Sequence, residues 1–400
     1  MNERRLAWYA FALVLSAGTT ANAQEFSPRW QLSGRGLLSS PFTLRGDAPD
    51  ADWDILDFAD THLNTRFDNA LFDETIGGFA LGVRLTDQDS PLWPVFIYQV
   101  EGAVQGEHFV LQAGRTRRPS LGVTMPTLRD EDLLEYVYPL NPYSAGGLEE
   151  DVLFTDMLAL TIRADFRWHA QIFLESLRNT TRTGSPSDAA ALDPNSLGVR
   201  VFFDELPSLS RVRFIKHAEL GVLAQRADED FIPELQDDLL WQVTGSFSSN
   251  LYPDPIHLID VRAAAVYQHG VDGEAWAGTT DQWRGRYVSG ALALRYLYAP
   301  YQLDRFQASV SFAVRQFTDR DSRAISVVPN ILYRLGQNVD LLLQYLFTYR
   351  TGDLAMLPEA QSQEHRIELA FSYSFSVSLN DTINLPRDLL NADYNYVPVN

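Results

Sequence analysis

Arg35, Arg66, Arg84, Arg163, Arg200, Arg213, Arg262, Arg295, Arg315, Arg334 and Arg366 share one habit. Each falls on the polar side of a run in which apolar residues alternate with small or polar ones. A guanidinium keeps its charge at any physiological pH, and its planar fork grips carboxylates and phosphates through two parallel hydrogen bonds. Fewer acids share those positions; Asp60, Glu101, Asp165, Glu175, Glu219 and Glu368 are the main ones. A second charged set is local. In TMPTLRDEDLLEY, Arg129, Asp130, Glu131, Asp132 and Glu135 crowd into one short stretch. Thr127 followed by Asp130 has the form of a capping box with Asp in place of Glu, so a short helix is expected, with Leu133, Leu134 and Val137 on one face. Helix capping alone would account for Thr127 and Asp130.

Other chemistry finds little support. The histidines His62, His108, His169, His217, His257, His269 and His365 are scattered singly, and neither Gly-x-Ser-x-Gly nor His-Glu-x-x-His occurs. No catalytic residue, metal site or cofactor is therefore expected, and a hydrolase is the weaker alternative. The chain has no cysteine, which excludes disulfides and thiolate ligands. Its formal net charge of -20 argues against a nucleic-acid partner. Lys216 is the only lysine, a bias that genome coding explains as well as any need for arginine's geometry. Acids cluster at Asp228, Glu229, Asp230, Glu234, Asp237 and Asp238, and again at Asp47, Asp50, Asp52, Asp54 and Asp57. Such groups suit Ca²⁺ or Mg²⁺ bridging lipid phosphates, but the plainer reading is solvated loops.

The elements that must position the arginines are strands. HRIELAFSYSF, residues 365–375, sets Ile367, Leu369, Phe371, Tyr373 and Phe375 against Glu368, Ala370, Ser372 and Ser374. Period-2 alternation of this kind recurs in about sixteen runs, with eighteen as the alternative count. They are 29–38, 58–68, 75–86, 94–104, 107–114, 156–165, 167–177, 196–204, 211–224, 239–248, 257–267, 287–298, 305–316, 324–335, 338–350 and 364–376. Connections after odd-numbered runs tend to be long, as at 39–57, 115–155, 178–195, 225–238, 268–286 and 351–363, and those after even-numbered runs short. A soluble sandwich has no reason to place its long loops at one end. A membrane-spanning antiparallel up-and-down β-barrel does, with apolar residues towards lipid and polar ones towards a wet lumen. A charge on the lipid side costs roughly 2–4 kcal/mol near the midplane, so the arginines are expected inside.

The first residues agree. Arg4 and Arg5, an apolar stretch from Leu6 to Ala17 and Ala21-Asn22-Ala23 have the order of a secretory signal, cleaved after Ala23. Nothing later approaches the ~18 apolar residues of a membrane helix. The expected organisation is a signal peptide at 1–23, a barrel over 24–380 with a loop at about 115–155, and a periplasmic tail at 381–400. Aromatics gather near run ends, with Trp30, Trp168, Tyr296, Tyr298 and Phe375 on one side and Trp93, Trp241, Tyr287 and Tyr349 on the other. Two interfacial girdles are expected from them.

Taken whole, the chain resembles the porin-type outer-membrane barrels of Gram-negative bacteria. IELAFSYSF is similar to the closing strand of such proteins, although here about twenty-five residues follow it instead of none. Residues 109–154 follow the fifth run and so resemble the third outer loop, which in porins folds into the lumen and narrows it. Gly114-Arg115 before that loop is also similar to phosphate-selective and alginate-export-type porins, and the subfamily stays open. The resemblance implies passive diffusion of small hydrophilic solutes, anions among them, across the outer membrane, contact with lipid and lipopolysaccharide, and a homotrimer. An arginine wall would favour anions, and the acidic loop across from it would oppose that preference. The alternative is a structural or polysaccharide-export barrel, in which the tail from Asp381 to Asn400 would meet a partner.

Overall fold

The computed structural model describes residues 29–46, 50–53, 61–72, 75–85, 95–117, 125–128, 133, 154–164, 167–176, 196–204, 213–226, 239–251, 256–269, 286–299, 305–319, 321–336, 338–352 and 362–378. Within them the strands are β1 (Arg29–Arg45), β2 (Asp50–Trp53), β3 (His62–Phe72), β4 (Thr75–Leu85), β5 (Val95–Gln105), β6 (Phe109–Arg117), β7 (Phe154–Arg163), β8 (Trp168–Ser176) and β9 (Ser196–Asp204). They continue with β10 (Arg213–Arg226), β11 (Leu239–Leu251), β12 (His257–His269), β13 (Tyr287–Tyr298), β14 (Phe306–Phe317), β15 (Arg323–Arg334), β16 (Val339–Thr351) and β17 (Gln363–Ser378). From β3 onwards each strand pairs antiparallel with the next, and β17 returns to β1 from Gln31↔Ser378 to Arg45↔Glu364. Sixteen strands close a barrel. β2 is additional: Asp50–Trp53 folds back on Phe42–Arg45, beyond the stretch of β1 that pairs with β3.

Closure gives every barrel strand a partner on both sides, which is what a strand needs in hydrocarbon. Each of the sixteen runs predicted from alternation overlaps one barrel strand, with ends displaced by up to several residues, as at 58–68 against β3. The joints alternate as well. Two residues separate β3 from β4 and three separate β5 from β6, whereas residues 118–153 separate β6 from β7 and residues 270–286 separate β12 from β13.

The alternation is physical. On β13, Leu292 and Leu294 are each 51% exposed while Ala293 and Arg295 between and beside them are 1% and 6% exposed. The same change of face runs along β17, where Ile367, Leu369, Phe371 and Tyr373 point outwards and Glu368, Ala370 and Ser372 are buried inside. Outward apolar side chains are the inverse of a soluble core, and together they form the lipid-facing surface of a membrane barrel. Trp30, Trp168, Tyr296 and Tyr298 stand on that surface at the short-turn end and Tyr349 at the other. Tyr287 does not join them. It shares its face with Ser289, Ala291 and Ala293, is fully buried inside, donates its hydroxyl to Gln268 Oε1 at 2.9 Å and packs edge-on against Phe317. A position near a strand end suggested the girdle; the parity of β13 decides otherwise.

Glycine fits one inner aromatic closely. Phe173 on β8 is the register partner of Gly198 on β9, and any Cβ at 198 would run into its ring. The ring can lie flat on the wall only because its neighbour has no side chain.

Candidate functional site

The inner face of the barrel holds the charged residues, and they come as pairs. Arg66 Nε lies 3.0 Å from Asp68, Arg262 Nε 2.7 Å from Asp260, and Arg366 Nε 3.6 Å from Glu368. In each case the partners are two residues apart on one strand, the spacing that returns a side chain to the same face. Other pairs cross strands. Arg295 Nη2 meets Asp260 Oδ2 at 2.9 Å, Arg334 Nε meets Asp340 at 2.9 Å, Arg200 Nη1 meets Glu219 at 3.2 Å and Arg350 Nη1 meets Glu364 at 3.3 Å. Asp260↔Arg295 and Arg334↔Asp340 are direct register partners, where opposite charges face one another most closely. Asp260 thus serves two arginines.

The remaining arginines have different surroundings. Arg315 is buried with its guanidinium 4.2 Å from the centre of the Tyr287 ring. Arg163, at the short-turn end of β7, donates to the Glu107 carbonyl at 3.0 Å. Arg84 and Arg213 belong to β4 and β10, but their side chains are outside the described ones. Asp68, Asp260 and Glu364 are inner-face acids that the sequence reading passed over. Their signal was present: each stands on the polar parity of its strand, one or two positions along or across from an arginine. Among the described inner-face residues, arginines outnumber carboxylates only narrowly.

The second feature is an apolar seat. Two buried clusters occupy the inner wall of β12–β17 and β1. One joins Ala264, Val266, Ala291, Ala293, Ala313, Val328 and Leu346 to Met125 and Leu133; the other joins Leu37, Leu332, Leu342 and Ala370 to Leu128. Met125, Leu128 and Leu133 come from the connection between β6 and β7, so part of that connection lies inside the barrel. Between the two clusters runs a polar row in register, Ser309, Asn330 and Gln344 on three successive strands. The row holds the connection by its backbone. Ser309 Oγ donates to the Pro126 carbonyl at 3.2 Å, and Gln344 Oε1 accepts from the Leu128 N–H at 2.7 Å and from Asn330 Nδ2 at 3.3 Å. Arg35 completes the hold from β1: Nη2 donates to the Leu128 carbonyl at 3.3 Å and Nε to Ser372 Oγ at 3.1 Å. A buried segment without secondary structure needs such partners for its amides. Arg129, Asp130, Glu131, Asp132 and Glu135 lie outside the described residues, as do the acid clusters of 228–238 and 54–57.

A third group sits away from the seat, on the inner wall of β7–β11. Phe202 is stacked against the His169 imidazole with ring centres 4.9 Å apart, and the Arg200 guanidinium lies 4.5 Å from the same ring. Arg200 Nε also donates to Gln171 Oε1 at 2.7 Å. His217 Nε2 is 3.4 Å from Glu219 Oε2 and 3.2 Å from Ser246 Oγ. Ser, His and Glu in mutual contact invite comparison with a nucleophilic triad. Here both contacts fall on one ring nitrogen, so the imidazole cannot take a proton from the serine on one side while being oriented by the acid on the other.

No protein-family model matches the chain, and no curated protein matches its sequence. Solved structures do match in shape. The outer-membrane channel DcaP of Acinetobacter baumannii superposes with a TM-score of 0.59 at 12% identity, covering 89% of this chain and 100% of that one. The anion-selective porin from Comamonas acidovorans gives 0.58 at 12% identity, over 87% of this chain and 100% of its own. OmpF of Salmonella typhi, in complex with daunomycin, gives 0.53 at 11% identity, over 86% and 97%. The chain has the porin fold. At 11–12% identity the likeness is one of shape and not of sequence, as expected where a lipid-facing barrel constrains the pattern of residues far more than their identities.

Proposed function

We propose that the protein is an outer-membrane porin that passes small hydrophilic solutes by diffusion. The observation that supports this best is the closed barrel with an apolar outside and a charged, hydrogen-bonding inside. Such an interior is compatible with water and ions, and the bilayer around it is not. The connection between β6 and β7 is the constriction. It is seated on β12–β17 and β1, and Arg129, Asp130, Glu131, Asp132 and Glu135 supply the charge that opposes the arginines at the narrowest level. Arg35, Arg66, Arg84, Arg163, Arg200, Arg262, Arg295, Arg315, Arg334 and Arg366 line the passage. With most of the described ones held by carboxylates, the preference for anions is mild. It weakens further as salt screens the wall.

The protein resides in the outer membrane, exported by residues 1–23, touches lipopolysaccharide with its long loops, forms a homotrimer, and leaves residues 381–400 in the periplasm. It performs no chemical step, and the geometry around His217 is the specific argument against one. The test is the reversal potential across a planar bilayer under a salt gradient, repeated with Arg66, Arg84 and Arg163 neutralised. Anion preference that falls in the variant supports the lining; strong cation preference in the unaltered protein refutes it.

A further inference from the structure

The His169–Phe202–Arg200–Glu219–His217 group lies at the short-turn end of the lumen, near the starts of β8 and β10 and the end of β9. Its fixed charges cancel, since Arg200 and Glu219 are paired. Its two imidazoles are the variable part. Both histidines are buried on the inner face, unlike His269, which stacks on Trp241, and His365, which contacts Tyr345 and Phe347, both on the outer surface.

We propose that His169 and His217 are selectivity-determining residues of the channel, shifting its preference towards anions when they take up protons. This rests on the channel reading above. The neighbours can accommodate both charges. Protonated His217 would gain a charge-assisted bond to Glu219 Oε2, and protonated His169 would rest on the face of Phe202 as a cation on an aromatic ring. Arg167, two residues before His169, is among the other charged groups near the pair. Arg163 is the register partner of His169 on β7, and Asp204 that of His217 on β9. On β10 itself stand Arg213 and Lys216. Across β11, Ser248 joins the register of His217 to Arg262, which is paired with Asp260.

Between pH 7.5 and 5.5 imidazole is the side chain whose charge commonly changes, while carboxylates stay ionised. A unit charge roughly 7 Å from a passing ion in water is worth about RT, a factor of about two to three in local ion concentration before screening. Cations are depleted by the same factor, so each added charge should raise the chloride-to-potassium permeability ratio about four- to ninefold in dilute salt before screening.

The experiment is the reversal potential of the purified full-length protein in planar bilayers at both pH values, for the unaltered chain, His169→Gln/His217→Gln and His365→Gln. The expected result is a rise for the unaltered chain and His365→Gln and none for the double variant. A flat profile in the unaltered chain, or a rise that persists in the double variant, overturns the assignment. The unaltered chain alone carries the first arm, so a variant that fails to fold leaves the proposal refutable. Absence of conductance at either pH overturns the channel reading instead, and this inference with it.

Discussion

Replacing Gln344 with alanine should loosen the connection between β6 and β7 from the wall. Gln344 is 1% exposed, and its Oε1 accepts from the Leu128 N–H at 2.7 Å and from Asn330 at 3.3 Å. Its removal leaves a buried backbone donor without that acceptor, at a cost of about 1–3 kcal/mol. In the equilibrium between seated and unseated connection this is a factor of about 5–150. Leu128→Ala would remove the buried side chain from the cluster it forms with Leu37, Leu332, Leu342 and Ala370, costing about 2–5 kcal/mol. Because both act on one residue, the double variant should fall short of the sum. Hydrogen exchange read by mass spectrometry on a peptide spanning residues 125–133 measures the unseated population directly. Exchange there should accelerate within the predicted range in Gln344→Ala while peptides from β8 and β9 keep their protection. Leu343→Ala, one residue along β16 on the lipid side, should leave the peptide unchanged. Unaltered exchange in Gln344→Ala would refute the claim that the polar row holds the connection in place.

Other expectations follow from the wall. Gly198→Val should drive a side chain into the Phe173 ring and lower stability by about 1–3 kcal/mol in urea refolding, whereas Gly245→Ala, whose nearest neighbour would be 3.6 Å away, should be tolerated. Asp260→Asn removes the carboxylate shared by buried Arg262 and Arg295, costing about 3–5 kcal/mol, and in whatever fraction still folds the reversal potential should move towards anions. Leu292→Arg places a charge on the lipid side near the middle of β13 and should cost about 2–4 kcal/mol in liposome refolding.

The strands were legible in the sequence because lipid outside and water inside force a period of two on every barrel strand. Where that forcing stops, the reading stops too. β1 runs on through Pro41 to Arg45, and β2 forms from Asp50–Trp53 inside an acidic stretch that reads as loop. Both lie past the stretch of β1 that pairs with β3, where β1 is held by β17 and β2 instead. Tyr287 was misplaced because aromatics near strand ends usually serve the interface, while Ser289 and Ala291 gave the correct parity. The apolar seat was missed by treating the inner face as uniformly polar. Leu332, Leu342, Leu346 and Leu37 share the parity of Arg334, Asp340 and Arg35, a pattern that makes sense only if something covers them. The charge pairing required cross-strand register, which no single sequence displays; the Asp260/Arg262 and Arg66/Asp68 spacings were its readable half.

Single-channel recording from the refolded full-length protein, with closed-barrel content checked by circular dichroism, tests the central claim most directly. Discrete conductance steps, with an anion preference that declines from low to high salt, are the predicted result. Correctly folded protein that inserts into the bilayer and passes no current would contradict it.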